Sequence, residues 1–170
     1  MTEQQQTDVF NYWLENHKAI LFKVVRAYGF SLEDQEDLFQ EIAVQVWRSV
    51  PKFRKDCAVT TWMYRIALNT ALKWSSKERK HQVGREDLDL KAQVLIEQNN
   101  FADERLDWLY EQIARLDKID KSLCLLLLDG FSYKEMSKIA GISESYVGVR
   151  INRIKKYLSK QSEKMTENGI

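Results

Sequence analysis

The feature that most constrains the fold of this chain is its lack of residues that break helices. Only six glycines and one proline occur in 170 residues. A sheet of many strands needs frequent turns, and glycine and proline are the residues that most often supply them. Apolar residues also recur at spacings of three and four, the pattern of helices that bury one face. The sequence therefore predicts an all-α protein.

The helical pattern weakens once, between residues 81 and 102. This stretch contains Gly84, several acidic residues and the polar cluster at residues 98–100. We therefore expect two small helical domains, residues 1–80 and 103–170, joined by a flexible linker over residues 81–102.

Residues at the ends of the apolar stripes predict where helices begin and end. Asp8 can cap the first helix, and Gly29 can end it as a glycine in the C′ position. Ser31 can cap the second helix, and Pro51 stops it. A run of apolar residues at 123–128 predicts a buried helix in the second domain.

Charge is balanced over the whole chain but uneven along it. The formal net charge is +1, so total charge gives no support to nucleic-acid binding. Acidic residues outnumber basic ones from residue 82 to 120, and basic residues lead from residue 121 onward. A basic patch can attract phosphates while the whole molecule stays near neutral.

Several functional classes find no support in the sequence. Cys57 and Cys124 do not have a metal-ligand spacing, and each of the two histidines stands alone. We expect reduced thiols, no metal, no cofactor and no catalytic residue. Residues 1–7 are polar, unlike a signal peptide, and the apolar run at 123–128 is shorter than the roughly 20 residues that span a bilayer. We expect a cytoplasmic protein without membrane insertion.

A helix-turn-helix pattern occurs in the second half of the chain. Ser132 and Glu135 have the spacing of a capping box that opens a short helix. Gly141 can supply the turn, and Ser143 can cap the next helix. Two helices joined by a tight turn containing glycine are typical of DNA-binding helix-turn-helix units.

The second helix of this pattern carries the candidate DNA contacts. Val147 and Ile151 are expected to hold it against the first helix. Its first residues would enter a major groove, and its later basic residues would contact phosphates. The residues predicted to contact DNA are Ser145, Tyr146, Val149, Arg150, Arg153 and Lys156. A plain helical hairpin with a solvated basic face would share part of this pattern.

Two parts of the chain resemble one known family. Residues 37–42 (Asp-Leu-Phe-Gln-Glu-Ile), 46–47 (Val-Trp), 52–53 (Lys-Phe) and 60–71 closely resemble region 2 of extracytoplasmic-function (ECF) sigma factors of the sigma-70 family. Residues 113–158 resemble region 4 of the same family. The resemblance implies that the second domain is a helix-turn-helix of the winged-helix-like or sigma region 4 type. It also implies a factor that directs core RNA polymerase to promoters and initiates transcription.

The resemblance assigns roles to particular residues. Asp37, Gln40 and Glu41 would dock on the clamp helices of the polymerase β′ subunit, and the β flap is a further expected contact. The loop at residues 53–59 would hold a flipped base of the minus-ten element, and the helix after it would lie along promoter DNA. The residues assigned to the minus-ten element are Phe53, Arg54, Lys55, Asp56, Arg65, Asn69 and Lys73.

The tryptophans are expected to be packing residues. Larger sigma factors carry an aromatic pair that helps to open the duplex, but here Met63 follows Trp62, so the pair is absent. We expect Trp62 to lie in the core. The other tryptophans expected to pack are Trp13, Trp47, Trp74 and Trp108.

The recognition helix departs from the family pattern. Members usually carry a run like Gly-Thr-Val-Lys-Ser-Arg, whereas residues 145–150 here read Ser-Tyr-Val-Gly-Val-Arg. Arg150 and Arg153 match, but the base preference cannot be carried over.

Two other functions stay open from the sequence. One is a helix-turn-helix regulator that acts without core polymerase, and the other is a helical protein-interaction adaptor. Transcription with purified core polymerase would separate them from a sigma factor. An anti-sigma factor is a further candidate partner.

Overall fold

Every regular element that the computed structural model describes, in residues 1–78 and 103–168, is a helix. In chain order the elements are α1 (Glu3–Tyr28), α2 (Leu32–Ser49), a short 3₁₀-helix (Val50–Lys52), α3 (Val59–Glu78), α4 (Glu104–Ala114), α5 (Lys118–Leu128), α6 (Tyr133–Ala140) and α7 (Glu144–Glu167). The prediction of an all-α protein is confirmed. The expected linker at residues 81–102 lies outside the described residues. Among the described helices, none combines the length and the apolar character that crossing a membrane requires.

The chain divides into two compact units, Met1–Asp107 and Trp108–Ile170. In the first unit, α1, α2 and α3 all pack on one another. Their shared core consists of side chains that are almost completely buried. Among them are Leu21, Val24, Leu38, Ile42, Val46, Met63, Tyr64, Ala67 and Ala71. These positions follow the spacing of three and four that predicted the helices.

The first helix begins earlier than the sequence suggested. Thr2 caps α1 by accepting a hydrogen bond from the N–H of Gln5, and the Gln5 side chain accepts one from the N–H of Thr2. Asp8 lies inside the helix, where it accepts a hydrogen bond from Gln4. The prediction that Asp8 caps α1 is wrong, because this reciprocal pair already satisfies the helix end at Thr2.

At the junction of α1 and α2, glycine is required at position 29 for a different reason from the one that the sequence predicted. Its φ is −92°, so it does not adopt the left-handed conformation of a C′ glycine. A Cβ atom here would instead lie 2.7 Å from Cγ of Gln35 and 3.0 Å from the carbonyl oxygen of Val25. Glycine is needed because the backbone approaches α2 closely. The predicted cap at Ser31 is confirmed, since its hydroxyl accepts the N–H of Asp34.

We expect Gly29→Ala to lower the free energy of unfolding by about 1–3 kcal/mol, the usual cost of overpacking. Gly148→Ala in α7 is the matched control, because a Cβ there would meet the Tyr133 ring at an ordinary 3.7 Å. This control should be neutral or stabilising by about 0.5–1 kcal/mol, since alanine favours a helix. Urea unfolding followed by circular dichroism measures both. Unchanged stability of Gly29→Ala would contradict the close-approach explanation.

The second unit packs α5, α6 and α7 around a small core. Leu123 to Leu126 of α5 are buried, but Leu128 is 53% exposed, so the run predicted as buried is only partly so. Six consecutive residues cover more than one turn of a helix and cannot all face the same side. The side chains from α6 and α7 that complete this core are Met136, Ile139, Val147, Ile151 and Ile154. No β-strand wing is present in residues 103–168.

Candidate functional site

The outward face of α2 carries the residues predicted to dock on polymerase. Asp37, Gln40 and Glu41 are all exposed, while Leu38 and Ile42 on the other side of the helix are fully buried. Val44 continues the same face and is 45% exposed. The sequence missed Val44 because an apolar residue in an amphipathic helix suggests a core position, although its spacing from Gln40 and Glu41 places it beside them.

The loop after α2 is held by a cluster of aromatic rings. Phe53 packs edge-on against Trp13, with 5.2 Å between ring centroids, and lies 5.6 Å from Trp62. The indole N–H of Trp62 donates a hydrogen bond to the Ser49 hydroxyl at 3.0 Å. Both Phe53 and Trp62 are half-buried. Phe53, assigned from the sequence to the minus-ten element, therefore anchors the base of the loop.

The tip of this loop presents charge to solvent. Arg54, Lys55 and Asp56 are exposed, and Cys57 behind them is half-buried. Lys55 has a φ of 62°, in the left-handed region that residues other than glycine rarely adopt. That conformation costs about 1 kcal/mol or more and persists only where the surroundings fix it, often at functional sites. The loop therefore holds its exposed polar side chains in a fixed conformation, next to the apolar contacts of Phe53.

A basic groove lies between the second half of α2 and the part of α3 from Ile66 to Lys77. Its volume is about 470 Å³, and its lining includes the cations Arg48, Lys52, Lys73 and Lys77. The Trp74 ring supplies an apolar wall. Cations of this kind attract phosphates, and an aromatic ring offers a surface on which a base can stack.

The groove contains part of the predicted minus-ten set. Asn69 and Lys73 line it, while Arg65 lies half-buried on the same helix, α3. The sequence assigned no role to Arg48 and counted Trp74 as a packing residue. Only the packing of α2 on α3 brings these two residues together, so neither periodicity nor spacing could have identified the groove.

The helix-turn-helix has the local structure that the sequence predicted. The Ser132 hydroxyl accepts the N–H of Glu135, and the Glu135 carboxylate accepts the N–H of Ser132, which lowers the pKa of Glu135. Gly141 ends α6 in the left-handed conformation, with a φ of 70°. The Ser137 hydroxyl closes the turn by donating to the carbonyl of Ile142, and Ser143 caps α7. These caps and the turn are confirmed.

Most predicted DNA contacts lie together on the outer face of α7. Those that are exposed are Ser145, Tyr146, Val149, Arg153 and Lys156. Val147 and Ile151 are fully buried on the opposite face, so they fix which side of the helix is presented. Gly148 faces the ring of Tyr133, where the family pattern has a long basic residue.

Arg150 differs from the other predicted contacts, because its side chain is only 13% exposed. Its Nη1 atom pairs with Asp117 at 2.8 Å and with Asp120 at 3.1 Å. Its Nε and Nη2 atoms donate to the Tyr146 hydroxyl at 2.9 and 2.6 Å. The Tyr146 hydrogen bond raises the pKa of Arg150 against the effect of burial, and both carboxylates add to the rise. The Arg150 guanidinium is therefore held in place by contacts within the second unit.

Asp117 connects this cluster to the start of α5. It caps that helix by accepting the N–H of Asp120 at 2.9 Å. Burial opposes its ionisation, but the hydrogen bonds from Asp120 and Arg150 outweigh burial and lower the pKa of Asp117. The sequence could not show this cluster, because Asp117 and Asp120 lie 33 and 30 positions away from Arg150 along the chain.

Both cysteines are free thiols in this fold. Burial, with the nearby charge of Asp120, raises the pKa of Cys124 to about 11. Cys57 and Cys124 both lie in the described ranges and are unpaired. Within those ranges no group of three metal-ligating side chains comes together.

Comparison with known proteins identifies the class and then the family. The second unit places the chain among helix-turn-helix proteins. Residues 13–81 match the family model of sigma-70 region 2. The ECF RNA polymerase sigma factor SigX of Bacillus subtilis (strain 168) is 31% identical over 142 residues, which cover 78% of this chain and 72% of SigX. The chain belongs to the ECF RNA polymerase sigma factors of the sigma-70 family.

Other relatives cover nearly the whole chain. The ECF RNA polymerase sigma-E factor of Haemophilus influenzae is 24% identical over 168 residues, which cover 92% of this chain and 88% of that protein. The sigma factor RpoE of Bartonella quintana, solved with the anti-sigma factor NepR, matches with a TM-score of 0.67 at 20% identity. That match covers 92% of this chain and 97% of RpoE, and it shows a shared fold. As a family member, the chain is a regulatory protein that directs RNA polymerase in transcription initiation.

Proposed function

We propose that the two helical parts divide the work of the sigma factor. Residues 1–80 bind core RNA polymerase and open the minus-ten region, and residues 103–170 bind the minus-35 element, with residues 81–102 joining them. The observation that carries this proposal is the basic groove between α2 and α3. It lies in the same unit as the exposed α2 face and the polar loop.

The arrangement of the first unit suits a strand of DNA held beside the polymerase. Glu41 belongs to the exposed α2 face and also lines the groove, so the two surfaces meet at this residue. A strand whose phosphates follow Arg48, Lys52 and Lys73 would run next to the docked β′ clamp helices. Phosphate contacts of this kind position DNA without reading its sequence.

We further propose that the protein acts in the cytoplasm as a binding factor without catalysis of its own, since the polymerase supplies the chemistry. Its partners would be the β′ clamp helices and β flap of core polymerase, and promoter DNA. An anti-sigma factor joins this set, because the Bartonella quintana relative was solved with one.

Transcription in vitro with purified core polymerase tests the proposal. A sigma factor should confer initiation at specific promoters on core enzyme that alone starts at random. A regulator that works without core polymerase would bind DNA but add no promoter-specific initiation. An adaptor would do neither. Lack of specific initiation on a library of promoters would overturn the proposal.

For the second unit, we expect Arg153→Ala to flatten the salt dependence of minus-35 binding. Arg153 is exposed on the same side of α7 as Ser145 and Val149. Each neutralised phosphate contributes a slope of about 0.9 in log affinity against log salt, so loss of one contact should reduce the slope by roughly one. Titrations at several salt concentrations measure it. Arg115→Ala, which removes an exposed arginine outside α7, is the control and should leave the slope unchanged. An unchanged slope in Arg153→Ala would show that Arg153 is only solvated.

A further inference from the structure

The hydroxyl oxygen of Tyr146 accepts two hydrogen bonds from one arginine side chain. A tyrosine hydroxyl can accept hydrogen bonds through its oxygen and can donate one through its proton. Here the oxygen accepts two N–H groups of Arg150, from Nε at 2.9 Å and from Nη2 at 2.6 Å. With its oxygen occupied, the hydroxyl is left with its proton to offer. The Tyr146 residue is 40% exposed on the outer face of α7.

Arg150 is itself held in place, and so it fixes the tyrosine. Asp117 and Asp120 bind its Nη1 atom from the start of α5, and its guanidinium carbon lies 5.0 Å from the centre of the Tyr146 ring. The ring is therefore held by contacts on its face and at its hydroxyl. A side chain fixed in this way loses little conformational freedom when it binds.

Tyr146 also occupies the part of the helix that reads bases. It is the third residue of α7, in the first turn. In helix-turn-helix proteins the first residues of the second helix contact base edges in the major groove. In that groove guanine presents O6 and N7, adenine presents N7, and thymine presents O4 as acceptors. Cytosine presents its N4 amino group, which is a donor.

We propose that Tyr146 reads one base of the minus-35 element by donating its hydroxyl proton, that it rejects cytosine there, and that Arg150 is the positioning residue that makes the hydroxyl a donor. The inference rests on the proposed binding of minus-35 DNA by the second unit. Cytosine would place an amino donor against a hydroxyl whose oxygen is already occupied. Both groups would lose a hydrogen bond on leaving water, and such a mismatch is costly.

Selection from a promoter library tests the role of Tyr146. Holoenzyme formed from the full chain and core polymerase is incubated with promoters randomised in the minus-35 element, and bound DNA is sequenced. The wild type should deplete cytosine about tenfold at one position, the discrimination typical of a specific base contact. Tyr146→Phe should lose this depletion and keep the preferences elsewhere. Tyr157→Phe is the matched control, because it removes a hydroxyl of α7 that instead bonds to Gln112.

Variants of Arg150 test the positioning role. Arg150→Ala should relax the same position while keeping the wild-type salt slope, in contrast to Arg153→Ala. Arg150→Lys keeps the charge but replaces the two-pronged donor by a single ammonium, which frees one acceptor site on the hydroxyl. It should therefore admit cytosine even if Arg150→Ala does not fold.

Three outcomes would overturn the inference. One is a uniform loss of affinity over the library in Tyr146→Phe, which would indicate a phosphate contact. Another is a salt slope that falls by about one in Arg150→Ala with unchanged base preference, which would make Arg150 the phosphate contact. The third is unchanged cytosine depletion in Tyr146→Phe. A wild type that supports transcription but selects no minus-35 sequence would overturn the proposed role of the second unit as well.

Discussion

Replacing residues 54–57 by a Gly/Ser stretch of equal length is expected to abolish open-complex formation on duplex promoters and to leave core binding intact. The exchange removes three exposed charged side chains and the half-buried Cys57. It spares Phe53, whose ring packs on Trp13 and Trp62 and holds the loop in place. Unstacking a base costs a few kcal/mol, and the exchange removes the polar groups proposed to offset that cost at the flipped base.

Permanganate footprinting on two templates would separate melting from binding. On an intact duplex the loop variant should show no reactive thymines in the minus-ten region. On a promoter already mismatched there, part of the reactivity should return, because the unpairing has been done in advance. Wild-type affinity for core polymerase is the control that the first unit is folded. Normal melting of the intact duplex by the variant would show that this loop does not hold the flipped base.

The sequence predicted well those features that depend on neighbours along the chain. The capping box of Ser132 and Glu135, the turn at Gly141 and the caps at Ser31 and Ser143 were all predicted, because each involves residues at most three positions apart or a single backbone conformation. The buried faces of the helices followed from spacing for the same reason.

Features that depend on packing between distant segments were not predictable. Arg150 was predicted to contact DNA, and its pairing with Asp117 and Asp120 could not be foreseen, because these partners lie 33 and 30 positions away in the chain. Gly29 looked like a left-handed cap, because its close approach to Gln35 exists only once α1 and α2 have packed. Phe53 was assigned to the minus-ten loop, but its packing against Trp13 could not be predicted, because Trp13 lies far away in the chain. Spacing along a chain carries no information about such contacts.

The second large effect is expected at the polymerase interface, where Gln40→Ala with Glu41→Ala should weaken core binding about 30-fold. That loss corresponds to about 2 kcal/mol, the size of an interface hot spot. Both side chains are exposed on α2, so their removal opens no cavity in the core formed by Leu38 and Ile42. Alanine also has the highest helix propensity, and the helix should therefore remain intact.

Competition against a labelled wild-type sigma factor for purified core polymerase would measure the effect, with circular dichroism as the test of helicity. Asn11→Ala with Glu15→Ala provides a matched control: it also removes one exposed amide and one exposed carboxylate, four residues apart on α1. The change in net charge is the same in both double variants, so a difference between them cannot come from long-range electrostatics alone. The control should bind core polymerase like the wild type. Equal affinities of the two double variants would remove Gln40 and Glu41 from the docking surface and leave the exposed face of α2 without its proposed partner.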